Sequence, residues 1–112
     1  MLTRHILRAL FVAMSISAIT AAATAQTRIR FARGTYSASV SSSLAGLGER
    51  SYVVGARNGQ SFTGNISSRN GCVIFSQGST SSAWTTDSGD NYFNIMNNCR
   101  GTASYTLTIS IR

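Results

Sequence analysis

The chain has no proline and no lysine, and across 112 residues it has one histidine, one tryptophan and three carboxylates. These shortages exclude most enzyme chemistry. The histidine, His5, lies in an N-terminal stretch that reads as a secretory signal. Cleavage after Ala25 removes it. What remains cannot build a Ser–His–Asp triad, a Ser–Lys dyad, a Cys–His nucleophile or a histidine-based zinc site. Asp87 and Asp90 are the one carboxylate pair close enough to suggest glycoside hydrolysis. Three residues apart in Asp87-Ser88-Gly89-Asp90-Asn91, they read better as turn formers and solubilisers. The same stretch lacks the alternating oxygens and closing Glu of an EF-hand loop. Glycines are scattered and open no phosphate-binding loop. The expectation is a non-enzyme with no cofactor and no metal.

The signal has three parts. Arg4 and Arg8 supply positive charge, Ile6 to Ile19 is mostly apolar, and Ala23-Thr24-Ala25 supplies small residues for cleavage. The apolar run is short for a membrane span, and no second one follows. The expected division is a signal over 1–25 and one domain over 26–112, acting in the bacterial periplasm or outside the cell. A chain this small buries only about 60–65% of its unfolded surface, so its core is thin. Cys72 and Cys99 are the only cysteines. In an oxidising compartment they read as one bridge, with a pair of buried thiols as the alternative.

Every basic residue is arginine. Eight remain after cleavage, against Glu49, Asp87 and Asp90, for a net charge of +5. Such a charge suits anionic glycans or cell-envelope surfaces. The arginines are spread from Arg28 to Arg112, with no run that resembles a nucleic-acid patch.

Strand-period alternation is widespread and no helix-period segment is visible. From Ser104 to Arg112, Tyr105, Leu107, Ile109 and Ile111 alternate with polar residues, which gives one apolar and one polar face. Further strands read over Arg28–Ala32, Tyr36–Leu44, Arg50–Arg57, Gln60–Ser67, Cys72–Gln77 and Tyr92–Met96, with a short extra one at Trp84. Asn58-Gly59 gives the best hairpin signal, a type I′ turn with both central residues at positive φ. The expected fold is all-β: a small antiparallel β-sandwich of about seven strands with one disulfide. The predicted core is Ile29, Phe31, Val40, Tyr52, Val54, Phe62, Ile66, Phe75, Trp84, Phe93, Ile95, Leu107 and Ile109.

With catalysis excluded, binding remains, and two resemblances bear on it. Ile29-Arg30-Phe31-Ala32-Arg33-Gly34, Ser37-Ala38-Ser39-Val40, Gly46 and Tyr52-Val53-Val54-Gly55-Ala56-Arg57-Asn58-Gly59-Gln60 resemble the periplasmic inhibitors of g-type lysozyme. They also resemble the wider class of bacterial pre-peptidase C-terminal domains. Ser88-Gly89-Asp90-Asn91-Tyr92 is similar to the Ser-Gly-x-x-Tyr loop that inhibitors of c-type lysozyme insert into the enzyme's cleft. The resemblance implies a lysozyme as partner, met by Asp87, Ser88, Asp90 and Tyr92 on one loop and by Asn98 and Arg100 on another. Ser88 would hydrogen-bond the enzyme's catalytic carboxylates, a charge-assisted contact, and Arg100 could fork onto a carboxylate. The first loop also reads as a plain turn, and Arg100 as a solvated turn residue. The alternative role is a non-catalytic accessory module that binds glycan or anionic envelope surfaces.

Overall fold

The computed structural model describes residues 26–112; the expected signal over 1–25 lies outside the described residues. Eight strands form two four-stranded sheets: β1 (Thr27–Ile29), β2 (Ser37–Leu44), β3 (Glu49–Ala56), β4 (Ser61–Ser68), β5 (Val73–Phe75), β6 (Ser81–Thr85), β7 (Gly89–Asn97) and β8 (Ala103–Ile111). One sheet has the order β1-β3-β7-β5 and the other β2-β8-β4-β6. Odd-numbered strands thus make one sheet and even-numbered strands the other. The chain changes sheet at every connection, so all loops gather at the rims of the sandwich.

This alternation corrects the hairpin reading. Asn58-Gly59 does turn the chain, with Gly59 at φ 84°, but Asn58 is not at positive φ, so the turn is not type I′. The strands it joins lie in different sheets. A turn signal reports that the chain reverses; it does not report which strand each arm will bond. The pairing is also not wholly antiparallel, because β1 runs parallel to β3, with Thr27 opposite Tyr52 and Ile29 opposite Val54. Trp84 does lie on an extra strand, β6.

The core lies between the inner faces. Ile29, Tyr52, Val54, Phe62, Ile66, Phe75, Ile95, Leu107 and Ile109 are buried, while Phe31, Val40, Trp84 and Phe93 pack half-buried against them. Leu44, Val73, Tyr105 and Ile111 complete the cluster. Phe62 is its aromatic centre, stacked on Trp84 at 4.3 Å and tilted against Phe93 at 5.2 Å. Beside it, Gly64 leaves room for Phe75, whose ring would sit 2.8 Å from any Cβ added there.

Both tyrosines of the core carry a hydroxyl that must find a partner. They find each other across the sheets, Tyr52 Oη to Tyr105 Oη, and Arg50 Nη1 donates to Tyr105 Oη at 2.8 Å. Burial and the Tyr105 bond push the Tyr52 hydroxyl far above the usual tyrosine range. The same contact with Tyr105 raises Arg50.

Cys72 and Cys99 are bonded, with Cα atoms 5.5 Å apart. They stand just outside β5 and β7, which are neighbours in one sheet, and Asn98 N–H donates to Cys72 O at 2.8 Å. The bridge therefore closes one rim of that sheet.

Candidate functional site

β7 carries a predicted loop at each end. Asp87, Ser88 and Asp90 belong to its start and Asn98 and Arg100 follow its finish, and all five are exposed. The eight steps between its nine residues, at about 3.3 Å each, put these ends roughly 27 Å apart. The structure does not bring the two sets together; they occupy opposite rims. Tyr92 stays with the first set. It is 56% exposed, on the outer face of its sheet, paired in register with Val53.

The β6–β7 loop is tied down by its own asparagine. Asn91 is buried; its Nδ2 donates to Asp87 O at 2.9 Å and Gly89 O at 3.1 Å, and its Oδ1 accepts from Asp87 N–H at 2.9 Å. Gly89 supplies the positive φ (99°) that the turn needs. Thr86, also buried, fastens this loop to the β3–β4 connection. Its hydroxyl donates to Arg57 O at 2.6 Å, and its backbone exchanges bonds with Gln60 O and Gly59 N–H, each at 2.8 Å. Ser88 thus sits on a preformed loop, because the groups around it are fixed by buried hydrogen bonds.

Asp90 is held from the other side. Arg28 Nη2 donates to Asp90 Oδ2 at 2.8 Å. Asp90 lies opposite Gly55 in the β3–β7 register. The Arg28 guanidinium passes 3.9 Å from where a Gly55 side chain would begin, so the glycine leaves the path open. Trp84, Thr85, Asp87, Asp90, Asn91 and Tyr92 line an open groove of about 290 Å³. It offers a half-buried indole, an exposed phenol and two carboxylates, beside the exposed Ser88 hydroxyl. A larger depression of about 580 Å³ lies on the β2-β8-β4-β6 sheet, toward the opposite rim, lined by small hydroxyl side chains with Arg69 and Tyr105. It holds none of the predicted residues and presents little apolar anchoring surface.

The other rim is built by the same device. Asn97 is fully buried; its Nδ2 donates to Leu44 O at 3.0 Å and Gly101 O at 2.8 Å, and its Oδ1 accepts from Cys99 N–H at 3.0 Å. Gly46 presses against the Arg100 backbone, whose carbonyl oxygen would lie 1.7 Å from any Cβ at that position. Asn98 and Arg100 project from a braced turn, and neither side chain makes a hydrogen bond among the described residues.

Sequence reasoning missed Trp84, Arg28 and Asn91 as parts of the first site. In the sequence Trp84 reads as core on a short strand, and Arg28 lies 62 residues from the carboxylate it meets. It also read the arginines as dispersed. Topology gathers Arg28, Arg30, Arg33, Arg57 and Arg112 toward the rim that holds Ser88: the β1–β2 and β3–β4 connections and the end of β8 all lie there. Arg112 rests over the Tyr36 ring at 5.7 Å.

No protein-family model and no curated protein matches the chain. Solved structures do. The periplasmic lysozyme inhibitor of g-type lysozyme (PliG) from Aeromonas hydrophila is 19% identical, with a TM-score of 0.65 over 78% of this chain and 96% of that one. The PliG of Salmonella Typhimurium is 20% identical, with a TM-score of 0.61 over 80% of this chain and all of the other. A mutant of the Escherichia coli PliG is 19% identical, with a TM-score of 0.59 and the same coverage. At these identities the likeness is one of fold: this chain has the β-sandwich of those inhibitors along nearly all of their length.

Proposed function

We propose that this protein inhibits a lysozyme, with g-type enzymes the first class to test, in the periplasm or outside the cell. The single observation that carries the reading is the preformed loop around Ser88. Asn91 and Thr86 fix its backbone, so little ordering entropy opposes binding. It presents an exposed serine next to Asp87, which lines one groove with Trp84 and Tyr92, residue types that dominate binding energy at protein interfaces. Support also comes from the shared fold with the g-type lysozyme inhibitors and from the signal-like N-terminus.

In this reading Ser88 donates to a carboxylate in the enzyme's cleft, while Tyr92 and Trp84 cover the surrounding surface. The arginines of the same rim favour a cleft lined by carboxylates. Their positive charge disfavours strongly basic lysozymes. The separation of roughly 27 Å between the rims supports a contact made by one rim alone, which this reading assigns to Ser88, with Asn98 and Arg100 outside it.

The experiment is lysis of bacterial cell walls by g-type and c-type lysozymes with and without the purified protein. Inhibition of the g-type enzyme at micromolar concentration or below is expected. Undiminished lysis by both enzymes refutes the proposal.

A further inference from the structure

Four strands lie at sheet edges, and three of them are short: β1 and β5 have three residues each and β6 has five. The fourth, β2, has eight, Ser37-Ala38-Ser39-Val40-Ser41-Ser42-Ser43-Leu44. It contains no charge and no proline, two of the features with which proteins ordinarily block an open edge.

Its free groups can be assigned. Ile111 N–H donates to Tyr36 O at 3.0 Å, so Tyr36 faces β8. Antiparallel alternation then turns Ala38, Val40 and Ser42 toward β8, and Ser37, Ser39, Ser41 and Ser43 away from it. The outward Ser43 carbonyl accepts from Arg50 Nη1 at 3.2 Å. The N–H and C=O groups of Ser37, Ser39 and Ser41 have no backbone partner among the described residues. Among the described residues, two of the three exposed large apolar side chains flank this strand, Tyr36 just before it and Leu47 just after its end.

We infer that β2 is a homodimerisation edge, pairing antiparallel with β2 of a second copy about a two-fold axis at Ser39. This register sets Ser39 against Ser39 of the second copy and Ser37 against its Ser41. It closes every free group on those three residues and leaves the Ser43–Arg50 contact undisturbed. The half-buried Ala38 and Val40 then lie opposite Val40 and Ala38 of the second copy. Tyr36 of each copy lies opposite Ser42 of the other, and residue faces residue reciprocally across the axis, as two-fold symmetry requires. Side chains on the strand are small and neutral, so no charge or bulk lies within the paired segment itself. The pairing does not depend on the lysozyme reading, because β2 and β6, the strand that lends Trp84 and Thr85 to the Ser88 groove, stand at opposite edges of their sheet.

Sedimentation equilibrium of the purified protein up to the millimolar range tests the inference. The mass should rise from monomer to twice that value with concentration. Ser39→Pro removes an outward N–H and no bond to β8, a position an edge strand tolerates, and should hold the protein at monomer mass. Amide hydrogen exchange supplies a second readout on the unaltered chain: Ser39 and Ser41 should become protected at high concentration, and Ala38 should not change. A monomer throughout, or protection of Ser39 and Ser41 independent of concentration, overturns the inference. So does association undiminished in a folded Ser39→Pro variant.

Discussion

Tyr52 and Tyr105 touch hydroxyl to hydroxyl between the two sheets, and Arg50 donates to Tyr105 from β3. A thin core thereby holds a polar link that fixes how the sheets face one another. The link has a pH signature. Burial raises the Tyr52 pKa, so the folded chain holds that proton more tightly than the unfolded chain. The associated stability is fully present below about pH 10, where an unfolded tyrosine titrates, and is lost as pH rises toward the folded value. One proton gives a slope of about 1.4 kcal/mol per pH unit in that window. Urea unfolding between pH 8 and 11.5 should show the decline, and Tyr52→Phe should flatten it. An equal decline in both proteins excludes Tyr52 as its source.

The Cys72–Cys99 bridge closes a loop of 27 residues. On the chain-entropy model this contributes about 3.5 kcal/mol, a large share of the stability of so small a domain. Replacing both cysteines by alanine should lower the urea midpoint by a corresponding amount. Cys72 is buried beside β5, so some of the loss will come from packing. The Ser88 loop lies at the far rim, and its amide protection should fall only in step with global stability.

Much of the sandwich was legible in the sequence because a two-residue period survives any pairing scheme. Tyr105, Leu107, Ile109 and Ile111 announce the inner face of β8 whichever strands flank it. Pairing was not legible. Asn58-Gly59 marks a reversal, but Ala56 bonds Gly89 of β7, and Ser61 bonds Thr85 of β6. That choice depends on contacts dozens of residues apart. The site shows the same split. Ser88 and Tyr92 were visible as a local motif. Asn91 was visible only as a turn residue, since its role depends on being buried. Arg28 was invisible, because its partner Asp90 is reached only after β1 docks parallel to β3. Joining Asn98 and Arg100 to Ser88 treated two ends of one strand as neighbours.

Gly46 offers a test of the disulfide rim. A Cβ there would lie 1.7 Å from the Arg100 carbonyl oxygen and 2.2 Å from its carbon, and both are backbone atoms that cannot rotate away. Gly46→Ala should therefore displace the 98–102 turn and disturb the Leu47 N–H to Cys99 O bond, now 2.9 Å. Overpacking of this kind costs about 1–3 kcal/mol or more. Gly101 has open space around it, and Gly101→Ala should cost far less. Thermal melts of the two variants decide the matter. Equal melting temperatures contradict the close approach.

The separation of the two loops along β7 makes the inhibitory contact testable by end. If the Ser88 rim docks into a lysozyme, Tyr92→Ala should weaken inhibition at least about fivefold, since an aromatic anchor at an interface contributes more than about 1 kcal/mol. Ser88→Ala should weaken it as well. Asn91→Ala should act through the loop, leaving two carbonyls and an N–H without their partner. It should cost about 1–3 kcal/mol of stability and reduce potency together. Asp90→Asn should barely move the melting temperature, because its pair with Arg28 is more than a third exposed on both sides and such pairs contribute about 0–1 kcal/mol. Arg100→Ala, at the other rim, should leave potency unchanged. Inhibition constants against one g-type enzyme check Tyr92→Ala, Ser88→Ala, Asn91→Ala and Arg100→Ala, and melting temperatures check Asn91→Ala and Asp90→Asn. Potency lost in Arg100→Ala and kept in Tyr92→Ala would move the contact to the disulfide rim.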